Sequence, residues 1–332
     1  MRVRLLLVNE YFTPHAPGGA ERSNRLLATA LAARGHESVV ATTGFGMAPD
    51  ETEAEHDREL AASGVRVERM RLASARPADD RVQPSYIFGN PLFHRRFARW
   101  IECVATGGSF DVIHAHGYDA MAATARARLA IPRVATIRDY RALCPIAICL
   151  HDQDRAPVAC RRADFFRCCG LYRETYGVTL GVAARVRHDL RRTLEWMNHR
   201  AAADALHGMD GAIFVSERVR EIFRDARVAP ARTTAIPNVP PAIEGRSQPW
   251  AGDLRIKGRR IVLFVGRYSL GKGAAVLCAA MAIVARRFPE ALCVVAGRRE
   301  YAGEGPSMIF LGQIDAQRLA ALYRDAEMIV LP

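Results

Sequence analysis

Short apolar runs alternate with stretches of helical periodicity along nearly the whole chain, and this alternation limits the fold more than any other feature. Val3–Val8, Ser38–Thr43, Val65–Met70, Asp111–His116, Arg133–Arg138 and Gly211–Val215 predict strands. Ala20–Arg34 has helical spacing and stops at Gly35, a residue suited to a helix C-terminus. Asn90-Pro91 caps and opens a helix running to about Thr106. Another helix follows the fourth strand to about Ala130, and Ser216-Glu217 caps one after the sixth. The strand runs are almost continuously apolar, as in parallel sheets covered on both faces. The expectation is an α/β chain with doubly wound sheets.

The pattern breaks once. From Pro237 to Gly252 the chain is rich in Pro and Gly with little periodicity, and it then restarts. Ile261–Val265, Ala291–Ala296, Met308–Leu311 and Met328–Leu331 predict strands, and Lys272–Arg287 and Asp315–Arg324 predict helices. The expected organisation is an N-terminal domain over 1–240, a linker over 241–257 and a second domain over 258–332. Four strands and two helices are roughly half of a doubly wound domain, so the second domain reads as incomplete and the chain as a fragment.

No apolar run approaches the roughly 20 residues a membrane helix needs. The run opening the chain is too short for a signal peptide, and Asn9 and Glu10 end it. The expected location is the cytoplasm. The formal charge is +12, and only Lys257 and Lys272 among the 47 basic residues are lysine. So strong an arginine bias fits codon composition. A basic chain still favours anionic partners. No helix-turn-helix, zinc-finger or RNP-type pattern is present, so nucleic acid is not an expected partner.

Two loops carry candidate chemistry. After the first strand comes Pro17-Gly18-Gly19-Ala20-Glu21 at a helix start. Paired glycines admit close approach of a ligand, and the helix start offers N–H donors suited to phosphate; the alternative is a tight turn requiring positive φ. No G-x-G-x-x-G follows this strand, which argues against a dinucleotide dehydrogenase. After the strand Ile261–Val265 comes Gly266-Arg267-Tyr268-Ser269-Leu270-Gly271-Lys272-Gly273. Arg267 and Lys272 there can hold a diphosphate, Arg267 by a forked contact and Lys272 as a point charge; the alternative is a solvated loop with ordinary surface cations. The loop does not satisfy the Walker pattern.

Taken in order, these motifs resemble the retaining family-4 glycosyltransferases. Gly18-Gly19-Ala20-Glu21 is similar to that family's GG-x-E loop, Arg34-Gly35-His36-Glu37 to its RGHEV turn, and Asp111-Val112-Ile113-His114-Ala115-His116 to its DVVHAH strand end. Phe214-Val215-Ser216-Glu217, Ile236-Pro237-Asn238, Gly266-Arg267 with Lys272-Gly273, and Phe310-Leu311-Gly312 fit as well, although Val239 stands where glycine is usual. The resemblance implies the GT-B fold: two Rossmann-like domains facing a cleft, the first on the acceptor side and the second taking the donor. It implies a retaining hexosyltransferase-type enzyme using a UDP- or GDP-sugar and a glycan, lipid-linked or small-molecule acceptor, as in polysaccharide biosynthesis. Arg267 and Lys272 are then catalytic through the donor diphosphate, with Gly18, Gly19, Gly266 and Asn238 at the donor and phosphate positions. No metal or cofactor is implied.

Two departures stand out. The family's histidine after the fifth strand falls at Arg138, which holds an anion but does not share a proton as histidine does. His116, with His114 beside it, is the candidate substitute on the neighbouring strand end. The family's E-x7-E segment does not occur before Pro332, so activity of this stretch alone is in question. Arg138 and the short second domain keep open a non-catalytic binding or assembly subunit, and the shared architecture an epimerase or phosphorylase.

An insertion over about 139–180 holds Cys144, Cys149, Cys160, Cys168 and Cys169. Their spacing is looser than the C-x2-C pairs of structural zinc sites, so a reduced thiol cluster is the first reading and structural zinc the alternative. Asp152-Gln153-Asp154 reads as solvated. Arginines 161, 162, 167, 185, 187, 191 and 192, with Phe165, Phe166, Leu171 and Tyr172 interleaved, read as an ordinary amphipathic surface. The alternative is peripheral contact with the inner face of an anionic membrane.

Overall fold

The computed structural model describes residues 2–14, 18–73, 87, 89–144, 161–175, 181–238, 256 and 258–332. Its described residues form two compact units, one spanning Met1–Tyr172 with Thr179–Pro241 and the other Arg173–Val178 with Ala242–Pro332.

The first unit holds seven parallel strands: β1 (Arg4–Asn9), β2 (Glu37–Phe45), β3 (Val65–Leu72), β4 (Val112–His116), β5 (Arg133–Ile137), β6 (Gly211–Phe214) and β7 (Thr233–Ala235). Their order across the sheet is β3-β2-β1-β4-β5-β6-β7. The chain thus winds outward from β1 in one direction, then crosses back to β4 and continues in the other. Neighbouring loops diverge at the C-terminal ends of β1 and β4, where such sheets bind ligands. The register sets Asn9 opposite His116 there.

Side-chain alternation builds a core on each face. Leu6, Val8, Val39 and Ala41 pack with Phe93, Phe97 and Ile101 of α3 (Pro91–Thr106) and with Ala120 and Ala123 of α4 (Tyr118–Arg126). Leu7 and Val40 turn the other way, onto Ala28 of α1 (Gly19–Ala33) and Leu60 of α2 (Glu51–Ala62). The expected caps form: Asn90 Oδ1 accepts from the Leu92 N–H at 2.9 Å, and Ser216 Oγ, opening α7 (Glu217–Asp225), accepts from that of Val219 at 3.2 Å. Helix α2 has no apolar periodicity to announce it. Its inward face carries Glu53 and His56, and Glu53 is buried against Arg69 and Arg71 of β3.

The cysteine-bearing insertion contains α5 (Arg162–Thr175), and the long α6 (Val182–His207) follows. Cys144, Cys168 and Cys169 are buried. Cys149, Cys160 and the Asp152–Asp154 pair lie outside the described residues, and among those described no three His, Cys, Asp or Glu side chains form a metal-holding group.

The second unit has parallel strands β8 (Arg260–Val265), β9 (Ala291–Ala296), β10 (Met308–Gly312) and β11 (Met328–Ile329), ordered β10-β9-β8-β11. Helix α8 (Ala274–Arg287) covers one face through Leu277 and Met281, and α9 (Ala316–Asp325) the other through Leu322. Helical spacing predicts α8 from Lys272. Instead Leu270–Lys272 form a 3₁₀ turn, and Gly273, at φ +75°, separates it from the helix. That left-handed conformation suits glycine and interrupts the i→i+4 ladder.

Candidate active site

A pocket opens in the first unit, where β1, β4 and β5 end. Glu10 follows β1; Ala20, Glu21 and Asn24 come from the first turns of α1; His116 ends β4; Arg138 and Arg141 follow β5.

Its centre is the His116–Arg138 contact. Arg138 Nη1 lies 3.2 Å from His116 Nδ1. A guanidinium only donates, so Nδ1 accepts and neutral His116 carries its proton on Nε2. That atom has no hydrogen-bond partner among the described residues. Burial, His114 and Arg138 hold His116 well below its ordinary pKa. Burial and then Arg138 lower His114 to about 4, and its Nε2 sits 2.7 Å from Thr136 Oγ1. Both imidazoles are neutral at physiological pH. Asn24 donates to Asn9 Oδ1, and its own Oδ1 is buried and without a partner among the described residues. His116 Nε2 and Asn24 Oδ1 are thus two buried polar atoms, on residues that line the pocket, with no partner among the described residues.

Arg138 also donates from Nε to Asn238 Oδ1 at 3.3 Å, and Ser23 Oγ donates to the same oxygen at 3.4 Å. The fold therefore gathers His116, Arg138 and Asn238 into one network. Gly18 is extended, with φ −168° and ψ −166°, and precedes α1 without a side-chain cap. Gly19 has open space where a Cβ would sit. The alternative reading, a positive-φ turn, is absent at both, so neither glycine is demanded by backbone strain.

Glu10 and Asp119 also belong to this site, though no motif in the sequence marks them. Glu10 is 6% exposed, and its Oε2 accepts from the Ala120 N–H at 3.1 Å in the first turn of α4. Burial first, then the nearby Asp119 carboxylate, push Glu10 up to about 8. Asp119 accepts from the Gly89 N–H at 2.8 Å and pairs with His94 Nε2 at 2.7 Å. Gly117, at φ +101°, passes so close to Glu10 that a Cβ would collide with its carboxyl group. A carboxylate directly after the first strand, at the point where the strand order reverses, was the available signal.

In the second unit, Gly266, Arg267 and Lys272 occupy the loop between β8 and α8. Gly266 has φ +138°, and its carbonyl lies where a Cβ of Gly297 would fall, so two glycines let the loops after β8 and β9 touch. Tyr268 is fully buried and anchors the loop: its hydroxyl meets Cys278 Sγ at 2.7 Å and donates to the Gly303 carbonyl at 3.2 Å. Arg267 stays 60% exposed, and its Nη1 is 4.0 Å from Glu300, too far for a hydrogen bond. Lys272 is exposed and makes no ion pair among the described residues. Two cations thus stand on a loop whose backbone is tightly held.

Residues 17–239 match Glycosyltransferase Family 4, and residues 248–332 match Glycosyl transferases group 1. The chain belongs to glycosyltransferase family 4. Solved structures agree on the fold. Sucrose-phosphate synthase from Thermosynechococcus elongatus matches with a TM-score of 0.60 at 18% identity, over 100% of this chain and 75% of that one. Anabaena HepE in complex with UDP matches with 0.56 at 16%, over 100% and 74%. An α,α-trehalose-phosphate synthase from Burkholderia xenovorans, in complex with glucose-6-phosphate, matches with 0.57 at 12%, over 97% and 77%. No curated protein matches the chain in sequence. The parallel sheets of both units are those of the GT-B fold, and this family-4 chain carries Arg138 directly after β5.

Proposed function

We propose that this family-4 glycosyltransferase moves a hexosyl unit from a UDP- or GDP-sugar to a hydroxyl of a glycan, lipid-linked or small-molecule acceptor, with retention at the anomeric carbon. The carrying observation is the exposed pair Arg267 and Lys272 on the anchored loop after β8. A forked guanidinium and a mobile ammonium match a diphosphate, and the negative charge they meet grows as the nucleotide departs. The anomeric C–O bond breaks, the acceptor oxygen bonds to the same face, and the acceptor's proton leaves with the diphosphate. His116, Arg138 and Asn24 line the first unit's pocket and supply polar groups for an acceptor sugar there. Solved structures of HepE with UDP and with UDP-glucose support the donor class, and glucose-6-phosphate in the trehalose-phosphate synthase supports a sugar acceptor.

Calorimetry with UDP and GDP tests the donor site. One nucleotide binds the native chain, and Arg267→Ala/Lys272→Ala weakens it by about 100-fold, as loss of two charge-assisted contacts predicts. Unchanged affinity in the double variant would end the donor assignment. Arg138 favours a second reading, a binding subunit without turnover. Nucleotide binding with no release of UDP or GDP from the corresponding sugar nucleotides, across glycan, lipid-linked and small-molecule acceptors, selects it.

A further inference from the structure

Arg138 stands at the wall of the first unit's pocket as a positive charge that no counter-charge meets. The residue is half-buried directly after β5 and lines the pocket with Glu10, Glu21, His116, Asp139 and Arg141. Its hydrogen bonds go to His116 Nδ1 at 3.2 Å and to Asn238 Oδ1 at 3.3 Å. Both acceptors are neutral, and both distances sit at the long end of the range for N–H donors. Neither contact needs a charge. Among the described residues Arg138 forms no ion pair.

Glu21, Glu10 and Asp139 act on Arg138 from a distance, and each is engaged elsewhere. Asp139 Oδ2 lies 3.0 Å from Arg141 Nε, and Asp139 Oδ1 accepts from the Arg141 N–H at 3.0 Å. Glu10 Oε2 accepts from the Ala120 N–H at 3.1 Å, and burial pushes Glu10 up to about 8, so near neutral pH it mostly carries a proton. Glu21 accepts from backbone N–H groups of Gly18 and Glu21 at the start of α1. Burial outweighs the pull of these three carboxyl groups and lowers the Arg138 pKa. A charge taken partly out of water is costly unless it is paired. Arg138 also carries more N–H donors than its two contacts use. It stands where the strand ends of such sheets bind ligands. A neutral ligand would leave the charge unmet, whereas a forked guanidinium fits a carboxylate or phosphate two oxygens at a time.

We propose that the first unit's pocket takes a sugar bearing an anionic group, a phosphate or a carboxylate, which Arg138 holds by a forked contact. The role of acceptor rests on the sugar-transfer reading, and in that reading the acceptor is an acidic sugar and Arg138 the residue that selects it.

The test is binding of glucose, mannose and galactose to the whole chain, each as the free sugar, the 6-phosphate and the uronate. Imidazole nitrogen-15 signals of His116 report it at constant ionic strength. At least one charged form is expected to bind about tenfold or more tightly than its neutral parent, as a charge-assisted contact predicts. The phosphate and uronate arms show which anion the pocket takes. Arg138→Gln brings the charged form down to the level of its neutral parent. Should that variant misfold by circular dichroism, the native chain decides alone: an anion on Arg138 lies beside the His116 contact and shifts the Nδ1 signal. Charged forms that bind no better than neutral ones, a preference that survives Arg138→Gln, or an unmoved His116 with every charged sugar overturns the proposal. So does a loss of UDP and GDP affinity in Arg138→Gln as large as that in Arg267→Ala/Lys272→Ala, since that assigns Arg138 to the donor. Nucleotide binding through Arg267 and Lys272 with no charged-sugar preference ends this proposal and leaves the sugar-transfer reading standing. The reverse pattern ends that reading and keeps the charged-sugar site.

Discussion

The two units place their charges in opposite ways. Around the first unit's pocket, Glu10, His114, His116 and Asp119 are buried and perturb one another or are pinned by hydrogen bonds. On the second unit's loop the charges are exposed, and the rigidity lies in the backbone: Gly266 against Gly297, and Tyr268 sunk in the core. Groups of the first kind contribute to folding as well as binding, so altering them changes stability and its pH dependence. Groups of the second kind make few contacts with the fold, and removing them costs it almost nothing.

The largest expected effect is Gly117→Ala. The new methyl meets the Glu10 carboxyl group, and φ +101° disfavours any side chain, so the loss is about 4 kcal/mol in urea unfolding. Gly19→Ala is the contrast, because its Cβ meets open space at a helix start. Its midpoint should hold or rise. Equal losses at both positions would mean that backbone freedom, not the buried carboxyl, governs this pocket.

Second in size is the proposed donor pair. Arg267→Ala/Lys272→Ala loses about 2.7 kcal/mol of nucleotide binding, the equivalent of 100-fold, yet shifts unfolding by less than about 0.5 kcal/mol. A large drop in the thermal midpoint would show that these cations hold the loop together and would erase the contrast between the units.

Third is the pH profile. Glu10 titrates near 8 when folded and near 4.5 when unfolded, so the native state holds the extra proton between those values and stability falls as pH rises. His114, lowered to about 4, and His116, lowered further, act in reverse: below about 6.5 the unfolded chain binds more protons, so stability rises with pH up to that point. The histidines are silent above 6.5, which leaves Glu10 exposed as a decline of about 2 kcal/mol from there to pH 8. Glu21, also raised chiefly by burial, pulls the same way. Glu10→Gln should flatten that limb. A decline that survives the substitution assigns it to another group.

The strands, their parallel arrangement and the caps at Asn90 and Ser216 were legible because each rests on local chemistry: apolar runs, a proline at a helix start, a hydroxyl before a helix. Helix α2 was not, since Leu60 is its one large apolar side chain facing inward and the rest of that face is held by Glu53 and His56. The start of α8 was misjudged because the spacing of apolar residues carries no sign of the left-handed Gly273. In the site, the motif order led to Arg138, His116 and Asn238, but not to how they join. Glu10 meets the α4 start only because β1 and β4 are neighbours across a crossover more than 100 residues long. A linear pattern cannot show that the carboxylate after one strand becomes the buried acid of a pocket that β4, β5 and α1 help to build.

The smallest expected effect bears most directly on Arg138. Arg138→Met keeps an aliphatic stem but removes the donor to His116 Nδ1. Stability should change by less than about 1 kcal/mol, because the lost contact is partly offset by no longer burying a guanidinium. The tautomer should change more. With Nδ1 unpartnered, His116 becomes a mixture of Nδ1–H and Nε2–H forms, and its pKa rises because burial and His114 remain but the cation is gone. Nitrogen-15 shifts of the imidazole read both. A single Nε2–H form in the variant would show that the surrounding pocket, not Arg138, sets the proton. Arg138 would then be a spectator in the pocket.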